Sequence, residues 1–395
     1  MSMPPSLQLR GGRVIDPASG YDGAADVVID GDRIARVVAG AGSPQSSPAA
    51  RVIDCSGLVV TPGLIDLHVH VYPGLGDFCL HPDRVGVQQG VPTVIDAGTS
   101  GVATFGLARK WIDDPGVKTR VLALMDPCQI YFATKDFICH RLEIANDERN
   151  LDPESTAAAL EANRDVVVGL KVRACSTEDP RVSPFLNAAV SVAGPRPVMV
   201  HLGRFPHTPT IPTSDLLGVL RSGDVITHAF RGASGVLAPN GKVTPEFRDA
   251  VDRGVRLDVG HSGTDFRFST ARVLFDQGYL PTTISTDLNV FNVEHPVVSL
   301  AHTMSKMLAL GLSLADVVAM TTLAPATVVR RQDELGALAA GRSADVSVLR
   351  VDDAPVELSD GYETITAARS ISAVGCLRGG EWIHAQPAGG AAVPA

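Results

Sequence analysis

The stretch TPGLIDLHVH, residues 61–70, runs apolar from Leu64 and ends in two histidines one residue apart. A continuous apolar run of this length suits a strand covered on both faces, as in a parallel sheet. Residues i and i+2 of a strand project to the same side, so His68 and His70 share one face at its C-terminal end. Two imidazoles placed in this way can hold one divalent metal.

Outward from this stretch the pattern repeats. PTVIDAG (92–98), TRVLALMD (119–126), VVVGLKVRA (166–174), PVMVHL (197–202), DVITHAF (224–230), VRLDVGH (255–261) and TTISTD (282–287) are further buried-strand runs. Helical segments fall between several of them: TAAALEANRD (156–165), SPFLNAAVSVAG (183–194), TPEFRDAVDRG (244–254) and STARVLFDQG (269–278). Eight strand–helix units are what a (β/α)8 TIM barrel requires. The third unit is the least regular, because QIYFATKDFICHRLEI (129–144) makes a long connection.

The chain ends read differently. LQLRGGRVID (7–16), ADVVIDGDRIARVV (25–38), RVIDCSGLVV (51–60), ADVSVLRV (344–351) and ISAVGCLRGGEWIHA (371–385) are short apolar runs set off by turn signals such as Asp30-Gly31 and Gly379-Gly380. AGAGSPQSSPAA (39–50) reads as a polar loop, and QPAGGAAVPA (386–395) as a fraying end. The organisation expected is α/β: a metal-binding barrel over 61–334, and a small β-sandwich built from 1–60 plus 335–395.

With 45% hydrophobic and 19% charged residues, the chain has the balance of a folded globular protein. A net charge of −9 and the lack of any Lys/Arg-rich run exclude nucleic acid as the main partner. No apolar stretch reaches 18 residues, and the start shows no apolar h-region, so neither a membrane partner nor export is expected. The six cysteines (Cys55, Cys79, Cys128, Cys139, Cys175 and Cys376) form no CxxC pair and read as buried thiols of a cytoplasmic protein.

The chemistry-bearing residues are polar exceptions at the ends of these runs: His68 and His70, Lys171, His201, His228 and Asp287. Barrel enzymes carry their reactive groups at that end. One histidine at a strand end is more often a hydrogen-bonded residue than a ligand; an ordered set of four with an aspartate defines a site. Lys171 ends an apolar run, where an unpaired ammonium is costly. Two readings stand: a lysine paired with a carboxylate or reaching solvent, or an amine that has taken up CO2 to give an anionic carbamate able to bridge two metals.

TPGLIDLHVH with Lys171, His201, His228, STD ending at Asp287, and ALAAGRSADVSVL (337–349) resembles the amidohydrolase superfamily. VMVHLG, GDVITHAF, LDVGHSG, TTISTDL and MSKMLALGLSLADVV resemble its dihydroorotase-like amidohydrolase/deacetylase branch. The resemblance implies two divalent metal ions, zinc above all. His68, His70 and Asp287 would hold the more buried one, His201 and His228 the second, with carboxylated Lys171 bridging. It further implies attack by a metal-bridging hydroxide, with Asp287 as the catalytic proton carrier. No GxSxG elbow offers a serine nucleophile instead. A homo-oligomer is also implied.

Departures from other branches narrow the substrate. His70 is followed by Val71, Tyr72 and Pro73, so the HxHxR arginine that grips orotate is missing. LGRFPHTPT after His201 holds no acid of the deaminase kind. Arg173, at i+2 from Lys171, is a candidate clamp for a substrate carboxylate or else a salt-bridge partner. His261, Tyr131 and Asn289 are further candidates for substrate contact. His81, His140, His207, His295, His302 and His384 are read as structural. The branch implies removal of an acyl group, acetyl above all, from a small carboxylate-bearing N-acyl amino acid or O-acyl hydroxy acid. Opening of a cyclic amide, and a non-catalytic scaffold, are the alternatives.

Overall fold

The computed structural model describes residues 7–40 and 51–386; the loop read over 39–50 lies outside the described residues from 41 on, and the end read over 386–395 from 387 on. Seven parallel strands pair in chain order: Ile65–Val69, Thr93–Ala97, Arg120–Met125, Val167–Arg173, Val198–His201, Val225–Thr227 and Arg256–Leu257. Every residue of the first four except Arg120 is buried, as their unbroken apolar character requires.

The barrel is closed by the stretch expected as strand eight, which bonds to both neighbours without forming a regular ladder. Val259 N donates to Thr283 O at 3.1 Å and His261 N to Ser285 O at 3.2 Å on one side. Asp287 N donates to His68 O at 2.6 Å, and His70 N to Leu288 O at 3.0 Å, on the other. The hydroxyls of Thr283, Ser285 and Thr286 donate to the buried carboxylates of Asp258 and Asp66 rather than packing as an apolar face, which explains the broken pairing.

The four helices read from the sequence form over Pro153–Ala162, Pro184–Val192, Pro245–Asp252 and Phe268–Asp276. The first three begin with proline at the first turn behind a capping side chain: Asp152, Ser183 and Thr244 each accept from a backbone N–H. The irregular third connection folds into short turns, including Ile138–Arg141 and Ile144–Asn146.

Both chain ends meet in a mainly antiparallel β unit outside the barrel. Val59–Pro62 pairs with Leu7–Asp16 on one side and with Val346–Asp352 on the other, joining the N- and C-terminal strands in one sheet. Its own core contains Leu9, Val14, Val27, Val60, Val346, Val348 and Leu377. The hairpin Val356–Ser359 with Thr364–Ala367 stands apart, since Leu358 and Ala367 pack into the barrel core. Among the described residues no helix is long and apolar enough to cross a membrane.

Candidate metal centre

The first barrel strand does not run straight to its histidines. Its register with Thr93–Ala97 shifts between Asp66 and Val69, so two residues face one on the partner strand. Such bulges re-aim side chains and are common beside active sites. His68 and His70 emerge from it into a cavity of about 370 Å3, which Lys171, His201, His228 and Asp287 also line.

Hydrogen bonds behind the imidazoles decide what their front edges offer. Thr227 Oγ1 donates to Asp258 at 2.8 Å, and Thr99 Oγ1 to Asp96 at 2.6 Å. Each hydroxyl has one proton, so it accepts from the histidine it also meets: Nδ1–H of His68 at 2.9 Å and of His70 at 2.7 Å. His228 gives its Nδ1–H to Gly260 O at 2.6 Å. In a neutral imidazole this leaves Nε2 bare, and burial, reinforced at His68 by Lys171, holds the pKa of both His68 and His228 down. All three Nε2 lone pairs are aimed at Asp287. Its Oδ1 lies 3.0 Å from His70 Nε2 and 3.3 Å from His68 Nε2, and its Oδ2 4.0 Å from His228 Nε2.

This cluster contains more acceptors than donors, Lys171 Nζ beside His68 Nε2 being the one amine among them. Asp287 Oδ1 is buried with no hydrogen-bond partner. Burial works to raise the Asp287 carboxyl, but the nearby His70, with His228 and Lys171, outweighs it and holds it below its usual range. Nitrogens converging on a carboxylate fit a cation: His68, His70 and Asp287 could hold one, and His228 with Asp265 and Asp287 form a second such group. His201 stands beside them, its ring 4.5 Å from that of His228. Lys171 is 1% exposed with Nζ 3.3 Å from His68 Nε2, and burial, then the charge of Arg173, lowers its pKa to about 7. The stem of Lys171 packs on Gly98, where φ is +75° and a Cβ would come within 2.8 Å of the lysine Cβ and Cγ. Two of the clustered residues, His228 (φ 63°) and Asp287 (φ 56°), sit in the left-handed region, a strain often found at functional sites.

The comparisons agree with this geometry. Residues 209–374 match the amidohydrolase family. A deacetylase of Agrobacterium fabrum is 34% identical over 342 residues, covering 85% of this chain and 81% of the relative. The chain belongs to the amidohydrolase family. Among solved structures it is similar to an adenine deaminase (27% identity, TM-score 0.83, covering 96% of this chain and 99% of that one) and to a dihydroorotase (29%, 0.81, covering 96% and 98%). With this membership it is a metal-dependent hydrolase.

The amidohydrolase cavity treats the remaining candidates unequally. Tyr131 and Asn289 line it. Asn289 Nδ2 donates to Asp287 O at 2.8 Å, which fixes the backbone behind that carboxylate. Arg173 lines it too, but its Nη1 is 3.0 Å from Asp126, with side chains 7% and 4% exposed, and its guanidinium stacks 4.2 Å from the Tyr131 ring centre. Burial raises the Asp126 carboxyl against the pull of Arg173. Losing one member of such a pair leaves a buried charge alone, so Arg173→Met is expected to cost about 3–5 kcal/mol, read from denaturant midpoints. His261 lies off the cavity wall. It is wholly buried, with Nε2 2.8 Å from Lys306 Nζ, and its Nδ1 accepts from Gly263 N at 3.1 Å. A neutral His261 therefore donates through Nε2 to a neutral amine, and burial lowers Lys306 to about 7.

Several lining residues escaped the sequence reading. Asp265 comes within 4.8 Å of the ligand atoms of His228 and Asp287, and pairs with Arg231 at 3.0 Å. His140, read as structural, forms part of the wall, joined to Tyr131 Oη at 3.3 Å and Thr208 Oγ1 at 2.7 Å. Phe132 and Phe137 from the same irregular connection, with Phe78, Phe205 and Phe291, give the cavity its apolar lining, Phe78 packing edge-on to His70 and Phe205 to His201. The one available signal was that this connection is long and rich in aromatic residues.

Proposed function

We propose that this amidohydrolase removes an acyl group, acetyl above all, from a small N-acyl amino acid or O-acyl hydroxy acid. The observation that carries the reading is the unpartnered Asp287 Oδ1 facing the Nε2 atoms of His68 and His70, beside a buried lysine. The Agrobacterium relative, a deacetylase, supports the choice of reaction. In this reading His68, His70 and Asp287 would hold one zinc ion, His201 and His228 a second, and Lys171 would serve both as its carbamate. Bound there, the two ions supply hydroxide near neutral pH and polarise the acyl carbonyl.

The protein's own residues do the rest. Asp287 Oδ1 takes the proton of the attacking water and returns it to the leaving amine or alkoxide. Thr99 with Asp96, and Thr227 with Asp258, keep His70 and His68 in the Nδ1–H form throughout. The phenylalanine side of the cavity takes the apolar body of the substrate and excludes water. Tyr72, at the place of the orotate-gripping arginine, is wholly buried and does not line the cavity, which disfavours the dihydroorotase reaction. The division into a barrel over 61–334 and a sandwich from 1–60 plus 335–395 belongs to the same reading. So does a cytoplasmic setting, which suits six buried free thiols.

Metal analysis combined with a substrate panel tests it. Chelated protein is expected to lose at least about 100-fold in kcat and to regain activity, with two metals per chain, on addition of zinc and bicarbonate. The panel sets acetylated amino and hydroxy acids against hydantoins and dihydroorotate. Ring opening without deacylation would sink the proposal.

A further inference from the structure

Three guanidinium groups line the cavity, those of Arg173, Arg204 and Arg231. Arg173 is committed to Asp126, and Arg231 to Asp265. Of the two lining aspartates, Asp265 thus answers Arg231, and Asp287 belongs to the histidine cluster. Arg204 is exposed, and among the described residues its side chain has no ion pair and no hydrogen bond. One guanidinium in the cavity therefore lacks a partner among the described residues.

The backbone under that charge is pinned on both sides. Arg231 Nη1 donates to Leu202 O at 2.5 Å, while its Nη2 reaches Asp265, so one side chain ties the loop after the fifth strand to the loop after the seventh. Gly203 makes room for this tie: its φ is +98°, and any Cβ there would run into the Arg231 guanidinium. Beyond Arg204, Phe205 pairs with Thr208, and Thr208 Oγ1 bonds His140 Nδ1 at 2.7 Å. The arrangement is a fixed base carrying an uncommitted guanidinium, three residues past His201. A planar fork of this kind matches a carboxylate with two parallel N–H···O bonds.

We infer that Arg204 is the subsite for the carboxylate of the substrate, holding the anion at the cavity mouth while the acyl group lies over the histidine cluster. The inference rests on the deacylation reading and adds the residue that selects anionic substrates. It replaces Arg173 in that role, since Arg173 already neutralises a buried aspartate. Recognition at an exposed rim is screened by salt, so discrimination should weaken as ionic strength rises.

The test compares an N-acetyl amino acid with its carboxamide on the zinc-loaded enzyme, wild type against Arg204→Met and Arg204→Lys. A hydrogen bond to a charged group contributes enough that the carboxylate-to-carboxamide ratio of kcat/KM is expected to fall about 10- to 100-fold in Arg204→Met. The loss should sit in KM, be partly recovered in Arg204→Lys, and leave the melting temperature where it was. A wild type that deacylates with no preference for the carboxylate, or an Arg204→Met enzyme that keeps the preference, overturns the subsite and leaves deacylation standing. A wild type that opens cyclic amides but deacylates neither compound overturns the underlying reading, and the subsite with it.

Discussion

Asp287→Asn is expected to lower kcat by a factor on the order of 10²–10⁴, the span that a positioned general acid–base provides, while most of the metal stays bound. Asparagine keeps an oxygen to face His68 and His70 but has no basic oxygen to receive a proton. The exchange is gentle on the fold for two reasons visible at this position. Asparagine tolerates the left-handed conformation that Asp287 adopts at φ 56°. The backbone is also held independently of the side chain: Asp287 N donates to His68 O, and Asp287 O accepts from Asn289 Nδ2 and Asn292 Nδ2, both at 2.8 Å. Steady-state kinetics and metal content measured on one preparation separate the outcomes. Near-normal kcat would remove the proton-carrying role from Asp287; loss of metal together with activity would make it a ligand first.

What the chain discloses about itself follows from the range of the interactions involved. The barrel strands were legible because burial on both faces writes itself into consecutive residues, and the metal-facing groups because each interrupts such a run: Lys171 after DVVVGL, His201 after PVMV, His228 after DVIT. The eighth strand was legible as a run but not as a broken ladder, since Thr283, Ser285 and Thr286 turn toward Asp258 and Asp66. Pairings across the barrel leave no local mark. Nothing near Arg173 announces Asp126, 47 residues earlier, and nothing near His261 announces Lys306, 45 residues later. For the same reason the sequence singled out Arg173 and passed over Arg204, and only the structure separates a neutralised guanidinium from an uncommitted one.

Lys171→Ala is expected to lose more than the about 10- to 100-fold in metal affinity that follows removal of an outer-shell partner, and turnover should fall with it. The reasoning begins from burial. An amine at 1% exposure, facing imidazoles and next to Arg173, is held near pKa 7, so a large share is neutral at physiological pH. Neutral amine is the form that adds CO2, and in the proposed reading the carbamate it yields would supply the anion that two cations at this depth need. Below pH 7 the amine is increasingly protonated, so reloading of chelated enzyme with zinc and bicarbonate should slow as pH falls. A short carboxylic acid fits the space the truncated side chain vacates and should partly restore both metal and activity to Lys171→Ala. A methylene-only loss of packing would not respond to it. Gly98→Ala provides a second probe, because its Cβ presses on the lysine stem without touching the amine, and it should reduce metal retention while Lys171 remains in the chain. Full metal content in Lys171→Ala, measured without added carboxylate, would show that the lysine acts as a buried amine and nothing more.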